Sequence, residues 1–192
     1  MPNKKPIILL TGQPGVGKTT VIKRLAELAG DRAGGFYTQE MREGGRRSGF
    51  EIVTFDGQRG YLALKSAKSC FAHEIAFKSY KVNLDGIDKI AVPALIQARD
   101  EGKIVFIDEI GPMEIHSEVF CRTVQELLED DGVAMVGTIV KRPYRFADEV
   151  ERHPRVKLVE VTPKNRDGVV EEVWNSCKYL SVGLSAARPN EP

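Results

Sequence analysis

Long apolar runs are missing from this 192-residue sequence. Nothing in it approaches the roughly 18 consecutive apolar residues of a membrane-spanning helix. Met1-Pro2-Asn3-Lys4-Lys5 leads straight into Pro6-Ile7-Ile8-Leu9-Leu10-Thr11, without the apolar segment and cleavage site of a signal peptide, so a cytoplasmic protein is expected. Cysteine is scarce too. Cys70, Cys121 and Cys177 are odd in number and lack C-x-x-C spacing, which excludes a disulfide framework and a zinc knuckle and leaves free thiols. His73, His116 and His153 are scattered, and none is expected to bind metal. Charge of one sign is also absent: 28 Lys and Arg against 27 Asp and Glu leave a net +1. That balance argues against a dominant nucleic-acid surface, although a local basic patch is compatible with it. Repeats and low-complexity segments are lacking. What is present, 42% hydrophobic and 29% charged residues, is ordinary for a globular chain, and the length suits one well-buried domain spanning 1–192.

One stretch breaks this plainness. Gly12-Gln13-Pro14-Gly15-Val16-Gly17-Lys18-Thr19 fits G-x-x-x-x-G-K-[ST] without a mismatch. An apolar run suited to a buried parallel strand precedes it, and Val21, Ile22, Leu25, Leu28 and Ala29 follow at helical spacing until Gly30 supplies a stop. Gly12, Gly15 and Gly17 permit turns in which backbone N–H groups converge on phosphate oxygens, and the helix start adds unpaired N–H groups. Lys18 is the charge that reaches the β- and γ-phosphates, and the Thr19 hydroxyl is placed to ligate Mg²⁺. A glycine turn that merely joins a strand to a helix is the bland alternative, but it has no need of Lys-Thr.

Further along, Phe36 to Met41, Phe50 to Phe55 and Tyr61 to Leu64 read as strands with turns at Glu43-Gly44-Gly45 and Asp56-Gly57, an antiparallel meander inserted over 33–64. A helical stretch from Leu84 to Ala98 carries Pro93, which should kink or split it. Lys103 to Ile107, Val133 to Thr138 and Val156 to Val161 read as further strands. Ser117 to Glu129 and the stretch marked by Val169, Val170, Val173, Trp174 and Cys177 read as helices, and 186–192 as a frayed tail. Strands alternating with helices predict an α/β fold: a mostly parallel sheet with helices on both faces and ligands at the carboxyl ends of its strands.

The second motif lies at such an end. Val105-Phe106-Ile107-Asp108-Glu109 places Asp108 where a carboxylate holds Mg²⁺, usually through water, and Glu109 where a base can orient water and take its proton. Acidic residues also favour helix starts, the simpler reading. Two basic clusters could stabilise transferred charge, Arg42, Arg46 and Arg47 on the meander and Lys141, Arg142 and Arg145 after the Thr138 strand.

Taken together, Gly-Gln-Pro-Gly-Val-Gly-Lys-Thr-Thr at 12–20, Gly-Phe-Tyr-Thr at 35–38, Arg46-Arg47-Ser48-Gly49-Phe50, Asp-Glu-Ile-Gly-Pro-Met-Glu at 108–114 and Asn165-Arg166-Asp167 resemble one small family. It is the nucleoside-triphosphatase family shared by thermophilic microbes and animals, and the resemblance runs from about residue 6 to 180. It implies a P-loop NTPase fold, often monomeric, and slow Mg²⁺-dependent hydrolysis of ATP, GTP, CTP and UTP with little base selectivity. The implied nucleotide-binding residues are Gly12, Gln13, Pro14, Gly15, Val16, Gly17, Lys18, Thr19 and Thr20, with Ile104, Val105, Phe106, Ile107, Asp108, Glu109, Ile110 and Gly111 on the second motif. Thr19 and Asp108 are the implied metal ligands; Lys18, Asp108 and Glu109 are the catalytic candidates. The tandem Asp-Glu further resembles the branch of P-loop enzymes in which an extra strand separates the loop strand from the aspartate strand. Val133 to Thr138 would be that strand, with Thr138 near the γ-phosphate or simply at a strand end. Lys164-Asn165-Arg166-Asp167 has the wrong order for guanine recognition, so Asn165 and Arg166 either contact base or ribose or cap a helix.

Three functions compete: hydrolysis of nucleoside triphosphates, a nucleotide-kinase-like transfer to a small acceptor, and a nucleotide-dependent switch acting through a partner. Glu109 favours the first. A kinase would need an arginine-bearing lid, for which the two basic clusters are candidates.

Overall fold

The computed structural model describes residues 4–68 and 71–177. The tail expected to fray, Cys70 and the first three residues lie outside these. Nine strands join in one sheet, ordered β5-β6-β4-β3-β2-β7-β8-β1-β9 among the described residues. They are β1 (Ile7–Thr11), β2 (Ala33–Glu43), β3 (Arg46–Thr54), β4 (Arg59–Lys65), β5 (Glu74–Phe77), β6 (Tyr80–Asn83), β7 (Ile104–Ile110), β8 (Ala134–Ile139) and β9 (Val156–Glu160). The five strands β2-β7-β8-β1-β9 pair in parallel, and β3, β4, β6 and β5 extend one edge antiparallel.

Alternation along the strands builds two cores. Ile7 and Leu9 of β1, Val105 and Ile107 of β7 and Met135 of β8 face one way. Ile8 and Leu10, Ile104 and Phe106, and Ala134 and Val136 face the other. Helices α1 (Lys18–Ala29) and α6 (Arg166–Cys177) cover the second face. The first is covered by α3 (Val92–Asp100), α4 (Glu118–Glu129) and α5 (Arg145–Glu151). In α1, Val21, Ile22, Leu25, Ala26 and Ala29 are buried, each large aliphatic side chain worth about 1.5–3 kcal/mol. Gly30, at φ 56°, ends that helix by donating its N–H to Ala26 and Glu27 carbonyls. The expected mostly parallel sheet with helices on both faces is what forms, and the stretch from Val133 supplies β8 between β1 and β7.

The meander departs from expectation in two ways. Its first strand is no insertion beside the parallel sheet: Ala33 to Tyr37 pair in parallel with Ile104 to Asp108, while the rest of β2 turns into the antiparallel part. The antiparallel region also continues past residue 64 through the β5–β6 hairpin, whose four-residue strands are too short to show a period. The Leu84 to Ala98 helix is split as Pro93 predicts, but upstream of it. The short helix α2 (Leu84–Gly86) passes through a π-turn, Ile87–Ala91, into α3, which holds Pro93 in its first turn, where a missing N–H costs nothing. Helix α5 was not expected; it begins at Arg145, inside the stretch read as a basic loop. Among the described residues no helix is long and apolar enough to cross a membrane.

Candidate active site

The carboxyl ends of β1, β7 and β8 meet at one rim, where the 12–19 loop bends over the start of α1. Gly12, Gly15 and Gly17 have φ of 148°, 78° and 111°, conformations that side chains rarely adopt. At Gly12 the constraint is also steric, because an added Cβ would stand 2.4 Å from the Val161 carbonyl oxygen. Gln13, Pro14 and Gly15 are exposed at the tip, while Val16 is buried beneath it. Thr19 is partly buried at the helix start, and Thr20 points outward.

Lys18 curls back under the loop. Its Nζ donates to the Gly12 carbonyl at 3.2 Å and lies 3.8 Å from Glu109 Oε1. Lys18 and the second motif therefore meet at one place on the rim.

Asp108 continues the alternation of Ile104 and Phe106 onto the face that α1 covers. It is only 2% exposed. The Thr138 hydroxyl, buried on the neighbouring strand, donates to its Oδ1 at 2.7 Å, whereas Oδ2 is buried without a partner. Burial pushes this carboxyl upward, against the Thr138 and Thr19 hydroxyls, the Lys18 charge and the Thr38 backbone, which favour the carboxylate. Thr138 thus holds the aspartate rather than standing free at the rim. At Asp108 and Glu109 the β7–β8 pairing breaks, resuming at Ile110 with Ile139. Glu109, half-buried, is also raised, by burial first and by Asp108, with Lys18 opposing.

Ile104, Val105, Phe106, Ile107 and Ile110 are buried in the two cores, so their part is to carry Asp108 and Glu109 to the rim. Gly111 follows directly, crowded by carboxyl oxygens. The β9–α6 connection abuts the loop: Val161 donates its N–H to Thr11 O at 2.7 Å, and Arg166 Cδ lies 3.8 Å from where a Gly17 Cβ would be. Asn165 spends its side chain locally, accepting from Thr162 N at 2.7 Å and donating to Glu160 O at 2.8 Å.

The basic clusters are mostly engaged elsewhere. Arg42 and Arg47 both pair with Glu40, and the Arg47 hydrogen bond above all holds the Glu40 carboxyl low. Lys141 pairs with Glu160, and Arg145 with Glu149. Lys141 and Arg142 line a cleft of about 420 Å³ with Thr11, Asp148 and Glu160. Glu114, read only as the end of a motif, is a buried acid beside the site that spacing alone did not single out. Among the described residues Cys121 and Cys177 are free, with thiols pushed up by burial to about 11, and no cluster of three His, Cys, Asp or Glu stands ready to hold a metal.

A glycine loop after β1, inside the parallel part of the sheet, and two carboxylates on β7, two strands away, define a P-loop-type α/β protein. The chain belongs to the NTPase family: a family model described as NTPase matches residues 7–174. It is 41% identical over 172 residues to a nucleoside-triphosphatase THEP1 from Thermotoga sp., covering 90% of this chain and 95% of the relative. The crystal structure of THEP1 from Aquifex aeolicus superposes with a TM-score of 0.79 at 36% identity, over 90% of this chain and 98% of that one. The solution structure of a human cancer-related nucleoside triphosphatase gives 0.75 at 34%, over 89% and 96%.

Proposed function

We propose that this chain hydrolyses nucleoside triphosphates to diphosphate and phosphate. The observation that carries the reading is the contact between Lys18 and Glu109, which puts a phosphate-binding cation and a candidate base 3.8 Å apart. An entering triphosphate takes Lys18 from the Gly12 carbonyl and from Glu109, and loop N–H groups receive its oxygens. Glu109, thereby released, accepts a proton from a water. The water oxygen bonds to the γ-phosphorus as the bond to the β–γ bridging oxygen breaks, and the diphosphate leaves. Thr19 and the unpartnered Asp108 Oδ2 suit a hydrated Mg²⁺, which takes one or two protein oxygens beside phosphate. Such an ion supplies charge that neutralises the β- and γ-phosphates. Base selection is weak, because Asn165 is turned to its own loop and Arg166 offers stacking or charge rather than a base-specific edge. Arg42, Arg47 and Lys141, candidates for a kinase lid, are held by carboxylates, which favours hydrolysis over transfer to an acceptor.

Incubation with γ-labelled ATP and Mg²⁺, with and without candidate acceptors, tests the reaction; label that moves to an acceptor with negligible free phosphate overturns it. Lys18→Ala should abolish triphosphate binding or turnover. Glu109→Gln should leave binding intact and lower kcat by about 10²-fold, the loss expected for a positioned base. Normal turnover in Glu109→Gln removes Glu109 from the mechanism.

A further inference from the structure

Gly111 separates two carboxyl groups that nothing but a missing side chain keeps so close. A Cβ placed there would lie 2.6 Å from Glu109 Oε2 and 2.8 Å from Glu114 Oε2, so both oxygens occupy the space a side chain at residue 111 would need. Glu109 Oε1 faces Lys18, and its Oε2 lies on the Gly111 side, the side from which Glu114 Oε2 also approaches. Glu114 is 4% exposed and opens the tight turn Glu114–His116. Hydrogen bonds from Ile115 N to Gly111 O at 3.1 Å and from Ser117 N to Glu114 O at 3.0 Å hold that turn.

We propose that Glu114 is a positioning residue for Glu109, meeting its Oε2 across Gly111 and holding that carboxyl while Oε1 turns to the attacking water. The inference rests on the reading of Glu109 given above. Burial first, and then the acidic Glu109 and Asp108, push the Glu114 carboxyl up to about 8, against the backbone N–H groups of Glu114 and Met113. A buried carboxyl facing two others is kept neutral, and a neutral carboxyl donates a hydrogen bond that a carboxylate cannot. When substrate draws Lys18 away, Glu114 is the neighbour left on the Oε2 side of Glu109. This explains why residue 111 is glycine although its φ is not in the left-handed region.

The test compares Glu114→Gln, which keeps size and an N–H donor, with Glu114→Ala, in steady-state ATP hydrolysis. Loss of a carboxyl that aims the base should lower kcat about 10-fold or more in Glu114→Ala with KM little changed, since a small misplacement of a reacting group is costly. Glu114→Gln should restore most of that kcat. In a Glu109→Gln background, Glu114→Ala should cost nothing further. The wild-type kcat should fall as pH rises through about 8, where Glu114 ionises, and Glu114→Gln should lose that fall. Wild-type kcat in Glu114→Ala, equal impairment of both variants, or an undiminished loss in the Glu109→Gln background overturns the proposal. Should Glu114→Ala fail to fold, an unaltered alkaline fall in Glu114→Gln overturns it instead. The infrared band of a neutral carboxylic acid, retained in Glu109→Gln and absent in Glu114→Gln, reads the donor without turnover; its absence from the wild type also overturns the proposal. Normal hydrolysis by Glu109→Gln would instead indict the proposed function.

Discussion

Three acidic side chains at the end of β7 differ in what surrounds them, and the differences set their chemistry. Asp108 accepts the Thr138 hydroxyl on Oδ1, while its Oδ2 is buried without a hydrogen-bond partner, with Lys18 and Thr19 nearby. Glu109 has a lysine, whereas Glu114 lies in the interior with two acids near it and only backbone N–H groups in its favour. The last arrangement carries a pH signature in stability. In the fold Glu114 holds its proton up to about 8, whereas the unfolded chain releases it near 4.5. The folded state therefore binds more protons between those values, and the Glu114 contribution to stability is progressively lost as pH rises from 4.5 to 8. Glu114→Gln has no such loss. Its melting temperature should exceed that of the wild type increasingly over this range, with the difference levelling off above it. Melting curves from pH 5 to 9 check the sign; a constant difference contradicts it.

Among the elements, α4 shows how a local signal and a tertiary contact combine. Ser117 accepts the Phe120 N–H at 2.9 Å as a cap, and its own hydroxyl donates to Asp88 in the π-turn before α3. The helix then buries Phe120, Val124, Leu127 and Leu128. Ser117→Ala should cost about 1–2 kcal/mol, the upper range for a cap because a partner is also orphaned, measurable by urea unfolding. The helix α4 was readable in the sequence as Ser117 to Glu129, as were β1, α1 and its glycine stop. The β5–β6 hairpin and α5 were not. Four-residue strands and a seven-residue helix are shorter than the window in which a period can be recognised, and packing rather than propensity holds them.

Across the molecule, the end of the sheet opposite the site has its own fastening. Arg155, just before β9, donates to the carbonyls of Leu128, Asp130, Lys5 and Val133 at 2.6–2.9 Å, joining the segments that lead into β1 and β8. Arg155→Ala should destabilise by roughly 2–5 kcal/mol, the range for breaking a largely buried hydrogen-bonded charge network. Below the melting transition kcat should be nearly unchanged, because the rim with Lys18 and Glu109 lies at the other ends of the same strands; thermal melts beside ATPase assays separate the two. By itself the sequence determined the phosphate loop, the strand that delivers Asp108 and Glu109, and the alternation of strands and helices. Each of these rests on turns and periods a few residues long. Only the tertiary structure decided that β2 serves both parts of the sheet, that Thr138 is spent on Asp108, and that Arg42, Arg47 and Lys141 are tied to carboxylates. It also decided that the Glu109 and Glu114 carboxyls both lie against Gly111. Those outcomes depend on which strands become neighbours, on where the chain turns after β7, and on which polar groups burial deprives of water, none of which a local pattern encodes.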